Sequence, residues 1–141
     1  MSVGRVVAWA VAVACLLVLS SVGIAGAVSA KVATATTTFS VGADGRCYAV
    51  SSATWSGYQV NRVRHIFYRT GHVDQDYAWF STTVLPNGTS KSSGSMTSTS
   101  GIGAAPGEGW YTHDLFRSNG GAILAEATSA VAYAPLDCPI P

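Results

Sequence analysis

The chain has 141 residues, eight Lys and Arg against seven Asp and Glu, a formal net charge of +1 and only 11% charged residues. Nucleic-acid and anionic-membrane binding both call for a basic excess that this balance does not supply. Two lysines against six arginines, with abundant Ala, Gly and Val, fit a GC-rich bacterial source.

The first thirty residues hold one basic residue, Arg5, then a long apolar run, then two small-residue patterns, Ala25-Gly26-Ala27 and Val28-Ser29-Ala30. That order is the pattern of a secretory signal peptide, with cleavage expected after Ala27 or Ala30. Val6 to Ala30 is also long enough to span a bilayer, since roughly 20 apolar residues suffice, so an uncleaved N-terminal anchor is the alternative. Ala12-Val13-Ala14 before Cys15 is a poor lipid-attachment box, and the apolar run continues past it. Residues 31 to 141 then form a single domain, too short for two, with seven Lys and Arg against seven Asp and Glu.

Beyond residue 30 the sequence becomes short Thr-, Val- and aromatic-rich runs broken by Gly and Asn/Asp turn signals, the language of antiparallel strands. Seven strands are predicted: VATATTTFSVG (32–42), RCYAVSSATW (46–55), VNRVRHIFYRT (60–70), YAWFSTTVL (77–85), TSKSSGSMTSTS (89–100), WYTHDLFRS (110–118) and AILAEATSAVAYA (122–134). The fifth is polar enough to suit only a weak or edge strand. The last would tolerate a helix, but an Asn-Gly-Gly turn joins it to a clear strand. The fold class expected is all-β, a small antiparallel sandwich of immunoglobulin-like size, with a meander or small barrel as the alternative.

If each connection reverses direction, turns alternate between two ends of the domain. The Asp44-Gly45 turn, the HVDQD segment, the GIGAAPGEG loop and the C-terminal tail share one end; Ser56-Gly57, Pro86-Asn87-Gly88 and Asn119-Gly120-Gly121 share the other. Cys47 and Cys138 therefore meet, and in an exported chain they are expected to form one disulfide.

The candidate binding residues fall into two sets. At the disulfide end, His72, Asp74 and Asp76 alternate in GHVDQD, and Glu108 approaches from the glycine-rich loop; loops on a rigid scaffold are where binding residues concentrate. Carboxylates and imidazoles suit a divalent cation, but Asp and Gly fill any polar turn, so no metal and no cofactor is expected. The second set lies on a sheet face. Arg62, Arg64, Ile66 and Tyr68 alternate with Val63, His65 and Phe67, and arginines beside aromatics bind anionic groups or lie over rings while pairing with Asp114 or Glu126. Trp79 is expected in the core, Trp55 and Tyr58 as an exposed pair near a turn, and His65 as a partly buried, hydrogen-bonded side chain.

No GxSxG elbow or other nucleophile context is present. His113 and Asp114, as strand neighbours, point to opposite faces, which leaves His113 with Glu126 as the best acid/base pairing. Asn87-Gly88-Thr89 matches a glycosylation acceptor and also a hairpin turn. These observations point to a secreted, non-enzymatic domain that binds an extracellular protein or cell-wall glycan and contacts no nucleic acid, with a membrane involved only if the N-terminal segment is retained. A secreted antagonist, either a small toxin or a hydrolase inhibitor, has the same composition, and a small secreted hydrolase is the third reading. Mature protein from the medium is expected to begin at Val28 or Lys31 and to carry no free thiol; N-terminal sequencing and thiol titration of denatured, unreduced protein check both.

Overall fold

Nine strands make up the regular structure that the computed structural model describes over residues 30–71, 79–86 and 88–139: β1 (Val32–Val41), β2 (Cys47–Val60), β3 (Arg62–Arg69), β4 (Trp79–Val84), β5 (Lys91–Thr97), β6 (Ile102–Gly103), β7 (Gly109–Arg117), β8 (Ile123–Thr128) and β9 (Ala132–Tyr133). They form two antiparallel sheets. One has the order β1-β2-β5, with β6 also on β2; the other has the order β4-β3-β7-β8, with β9 also on β7. The two sheets make a small all-β sandwich.

Strand alternation decides what fills it, because successive side chains point to opposite faces. Along β2, Cys47, Ala49, Ser51, Ala53 and Trp55 are buried. Along β3 the inward series is Val63, His65 and Phe67, and along β7 it is Trp110, Thr112, Asp114 and Phe116. The middle of each series is polar and its ends are apolar. One apolar cluster therefore gathers Cys47, Ala49, Phe67, Ala104, Trp110, Ala134 and Cys138, and a second gathers Ala53, Trp55, Val60, Val63, Met96 and Phe116.

Between the two clusters lies a layer of hydrogen-bonded polar groups contributed by both sheets. Ser51 Oγ lies 2.8 and 3.0 Å from the carboxyl oxygens of Asp114 and donates to them. His65 Nδ1 is 3.2 Å from Asp114 Oδ1, and His65 Nε2 is 3.2 Å from Thr83 Oγ1. Thr37 Oγ1 reaches Ser129 Oγ at 2.6 Å and Thr112 Oγ1 at 3.2 Å, while the Thr112 amide donates to Ser129 Oγ. Each of these contacts matters because a buried polar group without a partner costs about 1–3 kcal/mol.

Several boundaries differ from the sequence expectation, and β6 (Ile102–Gly103) forms inside the expected glycine-rich loop by pairing with β2. Ser56-Gly57 is not a turn: β2 runs on to Val60, with Gly57 at φ 80° and a register shift against β5 between Ser56 and Val60. Glycine accepts that left-handed conformation without a Cβ clash, which is why a turn signal stands inside a strand at a bulge. The reversal comes at Asn61, which is buried; its carbonyl accepts from the Leu85 amide and its own amide donates to Arg117 O. The Asn87-Gly88 connection likewise makes no hairpin, since β4 pairs with β3 and β5 with β2, so the chain changes sheets there. The stretch 122–134 is divided into β8 and β9 where Ser129 turns into the polar layer.

The tryptophans also depart from expectation, Trp55 more than Trp79. Trp55 is only 4% exposed, edge-on to Phe116 at 6.1 Å, with its indole N–H donating to Lys91 O. Opposite it in the register stands Gly94, whose missing Cβ would sit 3.1 Å from the Trp55 ring. Trp79 is half-buried at the rim of the other cluster, against Phe67. The bulge at Gly57 accounts for Trp55: a Trp beside a turn reads as exposed, whereas a Trp in mid-strand on the inner face is core.

Direction alternates as expected despite these changes. The disulfide joins Cys47, the first residue of β2, to Cys138 in the tail, with Cα atoms 5.5 Å apart across 91 positions. The glycine-rich loop meets the tail at the same end, where Gly107 N donates to Ala134 O and Ala134 N to Glu108 O. A closed loop of this length constrains the unfolded chain by up to about 4–5 kcal/mol in the chain-entropy picture. Trp55→Ala is expected to lower the unfolding free energy by about 3–5 kcal/mol and Trp79→Ala by clearly less, as measured by urea unfolding under non-reducing conditions; the opposite ranking would contradict the placement of the core.

Candidate functional site

The outward positions of the β4-β3-β7-β8 sheet follow from its register. Across the sheet stand Val84, Arg62, Arg117 and Ile123 in one row, then Thr82, Arg64, Leu115 and Glu126, then Phe80, Ile66, His113 and Thr128. Tyr68 lies opposite Tyr111 in the next row, their rings stacked at 5.0 Å and 9°. Phe80, Val84 and Ile123 are 44%, 52% and 52% exposed, so the face carries apolar surface around its cations.

The three arginines are held differently. Arg64 lies over the Phe80 ring with its guanidinium carbon 4.0 Å from the centroid, a contact worth about 0.5–1 kcal/mol at an exposed site. Arg62 Nε donates to Asn61 Oδ1 at 3.0 Å and its terminal nitrogen to Asn119 O at 3.1 Å, so neutral oxygens position it. Arg117 stands directly across from Arg62, and the Nε atoms of Arg64 and Arg117 have no hydrogen-bond partner. Like charges directly opposite on a sheet repel by a few tenths of a kcal/mol to about 1 kcal/mol. Among the described residues the carboxylate on this face is that of Glu126, which lies 3.7 Å from His113 Nε2, while His113 Nδ1 lies 2.7 Å from Thr128 Oγ1.

The sequence-predicted sheet-face set is therefore divided. Arg62 and Arg64 lie on this face as predicted. Trp55 does not, being buried on the inner side of the other sheet, and Tyr58, also on β2, packs half-buried against the Trp55 cluster with Lys31 Nζ 5.7 Å from its ring centroid. Asp114 does not pair with an arginine; it is buried with His65 and Ser51. The same alternation that places Val63, His65 and Phe67 inward also places Asp114 between Thr112 and Phe116 on the inner face, and that was the signal to follow. His65 is fully rather than partly buried.

At the disulfide end, Glu108 is a structural tie. Its carboxylate lies 3.3 Å from Arg69 and accepts from the Ala105 amide at 3.2 Å and from the Trp110 indole at 2.9 Å. His72, Asp74 and Asp76, with which Glu108 was grouped, lie outside the described residues. Among the described residues no three His, Cys, Asp or Glu side chains gather closely enough to hold a metal ion.

The order Asp114, His65, Thr83 has the connectivity of a proton relay, but the imidazole is sealed from solvent and the Thr83 hydroxyl donates to Thr97 O at 3.1 Å. Ser51 bonds the carboxyl group and not the imidazole. The arrangement ties the sheets together and presents no nucleophile.

The opposite outer face is chemically unlike the arginine face. Thr34, Thr36, Thr38 and Ser40 on β1, Ser52, Thr54 and Ser56 on β2, and Ser93, Ser95 and Thr97 on β5 cover it with hydroxyls. At its disulfide end a hollow of 390 Å³ is lined by Ser40, Tyr48, Val50 and the 98–101 segment. The Tyr48 hydroxyl donates to Asp44. That bond, with the Arg46 amide, holds the Asp44 carboxyl below the ordinary range, and the bond to Asp44 pushes the Tyr48 phenol up. No protein family, curated protein or solved structure was found to match the chain.

Proposed function

We propose that the protein is a secreted, non-enzymatic binding domain, that its docking surface is the outer face of the β4-β3-β7-β8 sheet, and that its ligand is an acidic protein surface. The observation that carries this reading is the placement of Arg62 and Arg117 as cross-strand neighbours, with Arg64 beside them and, among the described residues, no carboxylate paired with any of the three. Repulsion of this kind works against stability and is relieved by an incoming anion. Arginine, aromatic and exposed aliphatic side chains on one surface are also the composition of protein-docking sites. The N-terminal apolar segment and the Cys47–Cys138 disulfide support an extracellular setting.

A second reading, a secreted antagonist that blocks another protein, uses the same face. It is favoured by the tail staple, which keeps the fold rigid while the face is presented. The two differ in the partner's identity and not in the surface engaged.

The test uses wild-type protein and Arg62→Ala, Arg117→Ala and Glu108→Gln variants to capture partners from culture supernatant and cell-wall fractions. Each arginine variant is expected to fold with wild-type stability to within about 0.5 kcal/mol and to bind a captured protein partner about tenfold or more weakly. Glu108→Gln is expected to leave binding unchanged. A partner that ignores the arginines but is lost on replacing His72, Asp74 and Asp76 by alanine moves the site to the loop end, and capture of a glycan alone replaces the protein ligand.

A further inference from the structure

We propose that the chain self-associates through β1, pairing it antiparallel with β1 of a second copy so that the β1-β2-β5 sheet continues across a two-fold axis. β1 is an edge strand: it pairs with β2 over ten consecutive residues, Val32 opposite Ser56 through Val41 opposite Cys47, without a break in register. On its other side no described residue supplies a backbone hydrogen bond. In an antiparallel ladder alternate residues direct both N–H and C=O away from their partner, so a ten-residue edge offers about five such residues to another strand.

Edges of this kind attract strands, and proteins protect them with short length, charge, proline, bulges or a cover. The other edges here carry those devices. β4 and β8 have six residues each, and β8 carries Glu126 and a register shift near Phe116 and Arg117. β5 begins at Lys91 and loses register with β2 between Ser56 and Val60. β1, VATATTTFSV, has no charged residue, no proline and no bulge. It is the longest of the four edges, and among the described residues nothing pairs with its outer side.

The sequence of β1 is also complementary to itself. Opposite residues share a face in antiparallel pairing, and a slip of one residue exchanges the faces. A two-fold axis at Thr36 sets Thr36 against Thr36, Thr34 against Thr38 and Val32 against Ser40 on the outer face, with Ala35 against Thr37 and Ala33 against Phe39 on the inner one. Threonine pairs and aromatic-on-small pairs are favourable across strands, and no like charges meet. The contact uses the same patch on both copies and closes, so it yields a dimer and not a fibre. It leaves the arginine face, on the other sheet, open on both protomers.

Sedimentation velocity of the protein as purified from the medium, over a range of concentrations, tests the pairing, with near-UV circular dichroism as the check on folding. Wild type is expected to pass from monomer to dimer as concentration rises, and Thr36→Lys, which sets two cations against each other at the axis, to weaken self-association about tenfold or more. Ser95→Lys on β5 is expected to leave it unchanged. A wild type that stays monomeric, or a dimer indifferent to Thr36→Lys, overturns the proposal. Should Thr36→Lys not fold, Thr36→Cys decides: a short bis-maleimide linker joins two copies through the added thiol if the register is right, and failure to cross-link at dimer-forming concentration overturns it.

Discussion

A carboxyl group sealed inside a sandwich of about one hundred residues has to find its hydrogen bonds from whatever faces it, and here that requirement sets the relation of the two sheets. Asp114 belongs to β7, and Ser51, which donates to it, belongs to β2 in the opposite sheet. Apolar contacts are tolerant of a slide between sheets, because one methyl group packs much like another. A donor 2.8 Å from its acceptor is not. His65, Thr112, Thr37 and Ser129 extend the layer through β1, β3 and β7. The apolar clusters lie on either side, with Trp110 and Phe67 toward the disulfide and Trp55 and Phe116 toward the other end.

With the interior organised this way, the outer faces are free to differ. The hydroxyl face on β1, β2 and β5 carries the unprotected edge, and the face on β3, β4, β7 and β8 carries the crowded arginines. Each departs from what stability alone favours: a long neutral edge invites another strand, and like charges side by side repel. Because the two features lie on different sheets, a dimer formed through β1 would present two copies of the arginine face.

Much of the fold was legible because strand alternation and turn signals are local. The Asp-Gly turn, the reversal of direction and the meeting of Cys47 with Cys138 all follow from counting. What failed was tertiary. Gly57 gives the same sequence signal in a bulge as in a turn, so the sequence pattern ends β2 five residues early and leaves Trp55 outside the core. Asn87-Gly88 joins strands of different sheets, a fact no hairpin rule contains. In sequence Asp114 suits a surface partner for arginine, because an isolated aspartate is rarely fully buried. Ser51, the donor that makes its burial tolerable, is sixty-three positions away in sequence. Of the site, the Arg62 and Arg64 face was readable from period-two alternation, whereas Arg117 entered only once the β3–β7 register was known.

The role of the polar layer is tested most directly by a mutant cycle on urea unfolding, comparing His65→Leu, Asp114→Val and the double variant. Removing one member of a buried pair leaves the other without its bond, at a cost of about 3–5 kcal/mol when charge is involved, whereas replacing both with apolar groups removes that demand and leaves only Ser51 and Thr83 to find other partners. If the layer acts as one unit, the double variant loses clearly less than the sum of the two single losses. Losses that add would mean that His65 and Asp114 stabilise the sandwich independently, and would contradict a layer that acts as one unit.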